Sequence, residues 1–148
     1  MSSQRITQVF VYGTLKRGEC REHAWPVSPK SVHPAWIRAA LFGRHDYPAI
    51  VAGGNRVVGE LWSFDFDEMP QVLEVLDEIE GTTTNSSDDL YHRQTVAVFQ
   101  SNPHAISADS DEPADAMAYS YFYNQDLTAD GFKLQPVDGG VQQWQAAR

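Results

Sequence analysis

A single glutamate, Glu80, is the strongest candidate in this chain for acid–base chemistry. It stands directly before Gly81, at the end of a stretch whose pattern predicts a helix. The carboxyl end of a helix carries a partial negative charge, and Glu74, Asp77 and Glu78 add like charge nearby. Both effects favour the protonated carboxyl, which suits a general base that works near neutral pH. The alternative is an exposed glutamate at the end of an acid-rich helix.

A second chemical feature is the run Val-Phe-Val-Tyr-Gly-Thr-Leu-Lys-Arg-Gly at residues 9–18. A strand that stops at Gly13 leaves the next backbone N–H groups without ladder partners, and glycine permits backbone angles that other residues resist. Successive N–H groups at such a turn can form an anion-binding concavity. We therefore predict a site for a carboxylate or an oxyanion there, the alternative being a plain strand and tight turn. The pair Lys16 and Arg17 either steers an anionic substrate or is merely solvated.

Other patterns for metal ligands or nucleophiles are weak. The five histidines are scattered, and the chain has neither a His-x-x-x-His nor a Cys-x-x-Cys spacing. It also lacks the Gly-x-Ser-x-Gly elbow of serine hydrolases. Cys20 lies among cations that lower the pKa of a thiol, but no base for it can be identified. The sequence therefore predicts no metal site and no serine or cysteine nucleophile.

The elements that position these residues are mostly strands. Apolar alternation and β-prone runs predict strands at residues 9–12, 34–42, 56–66, 91–100 and 116–124. In the first strand, Phe10 and Tyr12 should face one side and Val9 and Val11 the other, with both sides covered. The Gly-Gly-Asn sequence at 53–55 predicts a hairpin turn.

One helix is predicted from Pro70 to Glu80, because apolar residues recur there at helical spacing. Gly81 should end it, and Asp65 or Asp67 could cap its start. Strands that outnumber helices without regular alternation indicate the α+β class, with a small closed or nearly closed sheet and a helix packed against it.

The length of 148 residues favours one domain over 1–148. Residues 101–115 are rich in Ser, Pro, Asp and Ala, which predicts a mobile loop. The tail from residue 125 is polar and Gly-rich, with Trp144 as its expected apolar anchor.

The amino-acid composition limits which partners and which cellular compartment we expect. Twenty acids against 11 bases give a net charge of −9, which disfavours nucleic acid as a partner. The one cysteine excludes an internal disulfide and suits a reducing compartment. A signal-peptide pattern and an apolar run long enough for a membrane span are both missing, so we expect a cytoplasmic protein without membrane contact.

The order of the motifs resembles the γ-glutamylcyclotransferase-like superfamily, nearest its γ-glutamylamine cyclotransferase and AIG2-like branch. The resemblance covers about residues 8–123 and rests on Tyr-Gly-Thr-Leu and Leu-Asp-x-x-Glu-Gly, together with shorter runs. These motifs lie at residues 11–18, 47–49, 58–61, 76–81 and 91–93. The resemblance implies a small mixed β-barrel with flanking helices and one cavity.

The resemblance also implies roles for individual residues. The backbone N–H groups of the Tyr-Gly-Thr-Leu loop would hold the γ-glutamyl part of the substrate, and the acid before the glycine would be catalytic. Tyr91 matches the tyrosine that follows the polar loop. Tyr121 is a looser match to a cavity tyrosine of the last strand, where Tyr119 and Tyr123 share its face. The implied set is Glu80 as the catalytic residue, with Tyr12, Gly13, Thr14, Leu15, Tyr91 and Tyr121 as substrate-binding residues.

The implied reaction converts a γ-glutamyl amine or peptide to 5-oxoproline and a free amine. The α-amine of the substrate attacks its own γ-carbonyl, so the enzyme mainly holds a reactive conformer while Glu80 moves protons. The scheme uses neither a metal nor an organic cofactor. The alternative is a binding module on the same fold that holds a small carboxylate or docks a partner without turnover.

Overall fold

The fold consists of a curled sheet and one packed helix. The computed structural model describes residues 6–13, 15–16, 22–44, 48–83, 87–105 and 113–144. The strands are β1 (Gln8–Val11), β2 (Ser31–Gly43), β3 (Pro48–Ser63), β4 (Tyr91–Val98), β5 (Ala116–Tyr123), β6 (Lys133–Leu134) and β7 (Val141–Gln142). The helix α1 spans Met69–Glu80, and short 3₁₀ turns lie at Glu22–Ala24, Phe66–Glu68 and Pro103–Ala105.

The strands form one mixed sheet in the order β4-β5-β1-β3-β2-β6, with β7 paired to β3. β1 is central: it runs antiparallel to β3 and parallel to β5. The sheet curls until the chain beyond β4 meets β2, where Trp36 and Phe99 exchange two backbone hydrogen bonds of 2.9 Å. This curled half-barrel with one α-helix among the described residues confirms the predicted α+β class and small mixed barrel.

The alternation predicted for the first strand is confirmed. Val9 and Val11 are buried in a core between the sheet and α1, whereas Phe10 and Tyr12 are buried in a second core inside the curl. Both faces of β1 are therefore covered, which places its carboxyl end between the two cores.

The predicted hairpin turn at residues 53–55 is wrong. β3 runs without a break from Pro48 to Ser63 because β2 gives it a partner on both sides of the two glycines. Ala39 pairs with Asn55 and the next residue, Ala40, pairs with Val51, so residues 52–54 bulge out of the ladder. A long neighbouring strand thus overrides a local turn signal.

The start of α1 also differs from expectation. The helix begins after the 3₁₀ turn Phe66–Glu68, so Glu68 occupies the cap position and makes no side-chain cap. The extra turn places Asp65 too early in the chain to cap α1, and its carboxylate lies 3.3 Å from the Lys30 ammonium. The predicted cap at Asp65 or Asp67 is therefore wrong.

The C-terminal tail is anchored at more points than Trp144. Trp144 is buried as predicted, but Phe132, Val141 and Gln142 are buried too. The Gln142 side chain bonds the backbone N–H and C=O of Leu41, which joins the tail to β2. In the predicted loop 101–115, a 3₁₀ turn forms at Pro103–Ala105, while residues 106–112 lie outside the described residues.

Candidate active site

Glu80 is the last helical residue of α1, and its place depends on how the helix ends. Gly81 adopts φ 68°, a left-handed conformation that glycine reaches without strain. The N–H of Gly81 donates to the carbonyl of Glu78, and the N–H of Thr82 donates to that of Asp77 at 2.9 Å. These two bonds form a Schellman motif, which confirms the predicted terminator. Leu90 then donates to the Gly81 carbonyl at 3.1 Å, which ties the helix end to the start of β4.

A cavity of about 160 Å³ opens where β1 ends and α1 ends. It is smaller than the roughly 300–1,000 Å³ of pockets for drug-sized ligands, so it suits a small metabolite or one end of a longer substrate. Its walls include these residues predicted for the site: Tyr12, Gly13, Leu15, Glu80, Tyr91 and Tyr121. The rest of the lining is apolar: Phe10, Val11, Pro48, Ile79 and Leu90. Thr14 lies outside the described residues.

The chain turns sharply after Tyr12, and we call the described residues Gly13, Leu15 and Lys16 the bend. The N–H of Lys16 donates to the carbonyl of Gly13 at 3.0 Å, which closes a β-turn and leaves the N–H of Leu15 outside the turn's own bond. The indole N–H of Trp25 donates to the Leu15 carbonyl at 3.0 Å, and its ring stacks on Trp62 at 4.3 Å between centroids. The bend is therefore braced from outside the cavity.

The bend needs glycine at position 13 because the residue has no side chain, and not because of its conformational freedom. Its φ is not positive; among the described residues, Gly81, Gly131, Gly139 and Gly140 have positive φ. A Cβ on Gly13 would lie 2.5 Å from Cγ of Pro48. Glycine is required because the bend packs directly against the proline ring.

Lys16 of the bend is not the solvated cation that one of its two alternatives describes. The residue is buried, at 8% exposure, and its ammonium donates to the carbonyl of Trp144 at 3.1 Å. It anchors the tail instead of standing in solvent. Its predicted companion Arg17 lies outside the described residues, as does Cys20.

Two buried tyrosines donate hydrogen bonds from their hydroxyl groups to backbone carbonyls. Tyr12 donates to the carbonyl of Tyr121 at 2.7 Å, and Tyr91 donates to that of Pro48 at 2.8 Å. Burial raises the pKa of Tyr12 well above its usual value, the charge of Glu80 raises it further, and the backbone N–H of Ile50 partly offsets both. Tyr12 is therefore a neutral wall of the cavity close to the Glu80 carboxylate.

The third tyrosine belongs to a polar network between α1 and the sheet. The hydroxyl of Tyr121 donates to Oδ1 of Asp77 at 2.7 Å, and Nη1 of Arg93 lies 2.6 Å from Oδ2 of the same carboxylate. Burial raises the pKa of Tyr121 well above its usual value, and the bond to Asp77 adds to the effect. Arg93 opposes it, and the charge of Glu80 acts in the same direction as Asp77. Tyr121 is thus a neutral phenol whose proton is committed to Asp77.

Two further observations on the described residues concern metal ions and membranes. Within those ranges, no three His, Cys, Asp or Glu side chains are grouped so that they could hold a metal ion. None of the helices in the described part of the chain is long and apolar enough to cross a membrane.

A sequence profile of the family described as Gamma-glutamyl cyclotransferase, AIG2-like, matches residues 9–140. The chain belongs to this family. The match takes in β1, the bend, α1 and β5, and so the whole described wall of the cavity. The predicted resemblance is thereby confirmed.

Relatives of known name agree with this family. A Bos taurus protein named gamma-glutamylaminecyclotransferase is 34% identical in an alignment of 114 residues that covers 66% of this chain and 59% of that protein. The chain thus spans less than two thirds of the length of that relative. An AIG2-like protein from Mus musculus has a similar structure, with a TM-score of 0.60 at 18% identity over 98% of this chain and 99% of the other. The YkqA protein of Bacillus subtilis gives a TM-score of 0.52 at 25% identity, over 80% of this chain and 36% of that one.

Sequence reasoning missed Asp77 and Arg93, which form a hydrogen-bond network with Tyr121 of the cavity wall. The sequence pattern assigned Asp77 no role beyond like charge near Glu80, yet its side chain is 19% exposed and points to β4 and β5. A local signal was present, because Asp77 lies three residues before Glu80 and such residues share one helix face. The signal in Arg93 was not local, since its role depends on lying opposite Tyr121 across the β4–β5 ladder.

Proposed function

We propose that the protein is a cyclotransferase that converts a γ-glutamyl amine or peptide to 5-oxoproline and a free amine. One observation carries the proposal: Glu80, at the end of α1, and the bend after β1 line the same cavity. A carboxylate and a backbone turn are the two parts that this reaction needs within one small site. The named bovine relative and the family agree with that reaction class.

The chemistry divides between the substrate and the chain. The substrate's α-amine nitrogen forms a bond to its own γ-carbonyl carbon, and the bond from that carbon to the distal nitrogen breaks. The α-nitrogen loses two protons between ammonium and lactam, and Glu80 takes them one at a time and passes them to the departing nitrogen, which leaves as an ammonium ion. The attack is intramolecular, so holding the folded conformer supplies much of the rate enhancement.

The bend supplies the electrostatic part of the mechanism. The N–H of Leu15 lies outside the turn's own hydrogen bond, and a donor of this kind can hold the α-carboxylate or the developing oxyanion. Thr14 belongs to the same predicted cradle. Around the bend, the neutral phenols of Tyr12 and Tyr91 and apolar side chains exclude water, which strengthens each charge interaction within the cavity.

The substrate's α-ammonium would then face Glu80. The charge of Glu80 already reaches the hydroxyls of Tyr12 and Tyr121 strongly enough to raise their pKa values. An ammonium group placed among these three side chains would meet one carboxylate and two uncharged oxygens. Tyr121 and Tyr91 stay in the proposal as substrate-contacting residues, on the walls beside the carboxylate.

The test is release of 5-oxoproline from a panel of γ-glutamyl amines and γ-glutamyl dipeptides. The wild-type protein should release it from at least one of them, and the Glu80→Gln variant should not. Glu78→Gln is the matched control, because Glu78 is an exposed acid two residues earlier on the same helix. Silence of the wild-type protein across the panel, with a small carboxylate bound in the cavity, would favour the non-catalytic binding module.

A further inference from the structure

The Tyr121–Asp77–Arg93 network has a defined direction of hydrogen bonding. Arg93 and Tyr121 are direct cross-strand partners on β4 and β5, and both reach the carboxylate of Asp77 on α1. A guanidinium group can only donate hydrogen bonds, and a carboxylate can only accept them. Each oxygen of Asp77 therefore accepts one bond, one from Tyr121 and one from Arg93.

This direction decides what Tyr121 can offer to a ligand. A tyrosine hydroxyl has one proton and two lone pairs. Tyr121 lines the cavity and its proton is committed to Asp77, so its hydroxyl can offer a ligand there only lone pairs. Glu80 lines the same cavity and its charge acts on the Tyr121 hydroxyl, so its carboxylate is a second acceptor for a ligand there. An ammonium group is a donor with three protons and fits such a pair.

We propose that Asp77 is a positioning residue that makes the Tyr121 hydroxyl an acceptor for the substrate's α-ammonium group. The inference rests on the proposed function and deepens it. Glu80 would accept the proton that leaves during attack, while Tyr121 would hold a second N–H and so orient the nitrogen lone pair toward the γ-carbonyl. Arg93 would keep Asp77 in place by occupying its other oxygen.

The substitution Asp77→Asn tests this direction with little change of shape. Arg93 can only donate, so the amide oxygen of the new side chain must face Arg93. Its NH₂ group then faces Tyr121 as a donor and turns the tyrosine proton into the cavity. Tyr121 would become a donor that opposes an ammonium group, although every residue of the lining remains.

The experiment measures binding of two probes that differ in the ammonium group alone, L-glutamate and glutarate. Wild-type protein should bind L-glutamate more tightly than glutarate in a calorimetric titration. Asp77→Asn should weaken L-glutamate binding by ~10-fold or more, as expected for loss of a charge-assisted hydrogen bond, and change glutarate binding little. Tyr121→Phe should show the same selective loss, and adding Asp77→Asn to it should cause no further loss.

Matched controls separate positioning from a structural effect. Glu74→Gln removes the same charge from an exposed position one turn earlier on α1, and it should leave both probes unaffected. Tyr119→Phe removes the neighbouring hydroxyl on β5 and keeps the ring that lies beneath Arg93. Equal losses for both probes, no loss in Asp77→Asn, or no wild-type preference for L-glutamate would each overturn the inference. Tyr121→Phe keeps the inference testable if Asp77→Asn does not fold.

Measurements of binding and of turnover together distinguish failure of this inference from failure of the proposed function. If wild-type protein releases no 5-oxoproline yet prefers L-glutamate in an Asp77-dependent manner, the proposed function is wrong and this inference stands. If wild-type protein turns over a γ-glutamyl amine but its preference for L-glutamate does not depend on Asp77, the proposed function stands and this inference is wrong.

Discussion

The hydroxyl of Tyr12 donates to the backbone carbonyl of Tyr121 at 2.7 Å, across 109 residues of sequence. The bond joins the end of β1 to β5, the two parallel neighbours that form one wall of the cavity. Both residues are buried, and both side chains lie close enough to Glu80 to feel its charge. Cavity shape and fold stability are therefore coupled at this contact.

Tyr12→Phe should destabilise the protein by about 1–3 kcal/mol, because it leaves the buried Tyr121 carbonyl without its donor. The free energy of unfolding can be measured by urea denaturation, with Tyr119→Phe as the control tyrosine. An unchanged midpoint for Tyr12→Phe would show that water replaces the hydroxyl without cost.

Glu80→Gln should reduce turnover of a γ-glutamyl amine by roughly 10²–10⁴-fold, the usual contribution of a general acid–base group. KM should change far less, because the amide keeps the size of the side chain. Steady-state kinetics of 5-oxoproline release would measure both constants. Turnover equal to that of Glu78→Gln would exclude the proposed proton transfer.

Gly81→Ala should cost about 1–2 kcal/mol of stability, since its φ of 68° is strained for residues with a Cβ. Turnover should fall as well, because this residue ends α1 just after Glu80. Gly131→Ala is the matched control: its φ is 84°, nothing would touch the new Cβ within 4 Å, and it lies outside the cavity lining. Comparable stability losses with a turnover loss confined to Gly81→Ala are the expected result.

Gly13→Ala should weaken L-glutamate binding and destabilise the fold by about 1–3 kcal/mol, because the added methyl would overlap the Pro48 ring. Combining it with Pro48→Ala should recover part of the loss, as expected for two residues in contact. Gly54→Ala is the control, since its new Cβ would have no neighbour within 4 Å. Equal effects of the two glycine substitutions would argue against a tight bend.

Stability should fall as the pH rises above about 10, the pKa of an unfolded tyrosine. Burial raises the pKa values of Tyr12 and Tyr121 in the folded state, so above that pH the folded chain binds more protons than the unfolded chain. The slope of the unfolding free energy with pH is then negative, and the stabilisation is fully present below pH 10. Urea titrations at rising pH should show a shallower decline for Tyr121→Phe than for wild type. Parallel curves of unfolding free energy against pH for the two proteins would contradict the raised pKa of Tyr121.

Local patterns predicted the span of α1, its end and the alternation of β1, which depend on neighbours in the chain. The helical spacing before Gly81 predicted α1 to within one residue at its start, and its Schellman end lies at the predicted glycine. The alternation of β1 also predicted which side chains enter which core. The turn signal at residues 53–55 failed because strand pairing with β2 supplied hydrogen bonds that a local turn would have lost.

The sequence by itself determined the family motifs, the α+β class and the position of Glu80 at a helix end, since each depends on residue type and short spacing. Only the tertiary structure decided that Asp77 faces inward, that Lys16 binds the tail and that Gly13 packs on Pro48. Those contacts join residues from distant parts of the chain. They depend on sheet register and curl, which no local period encodes.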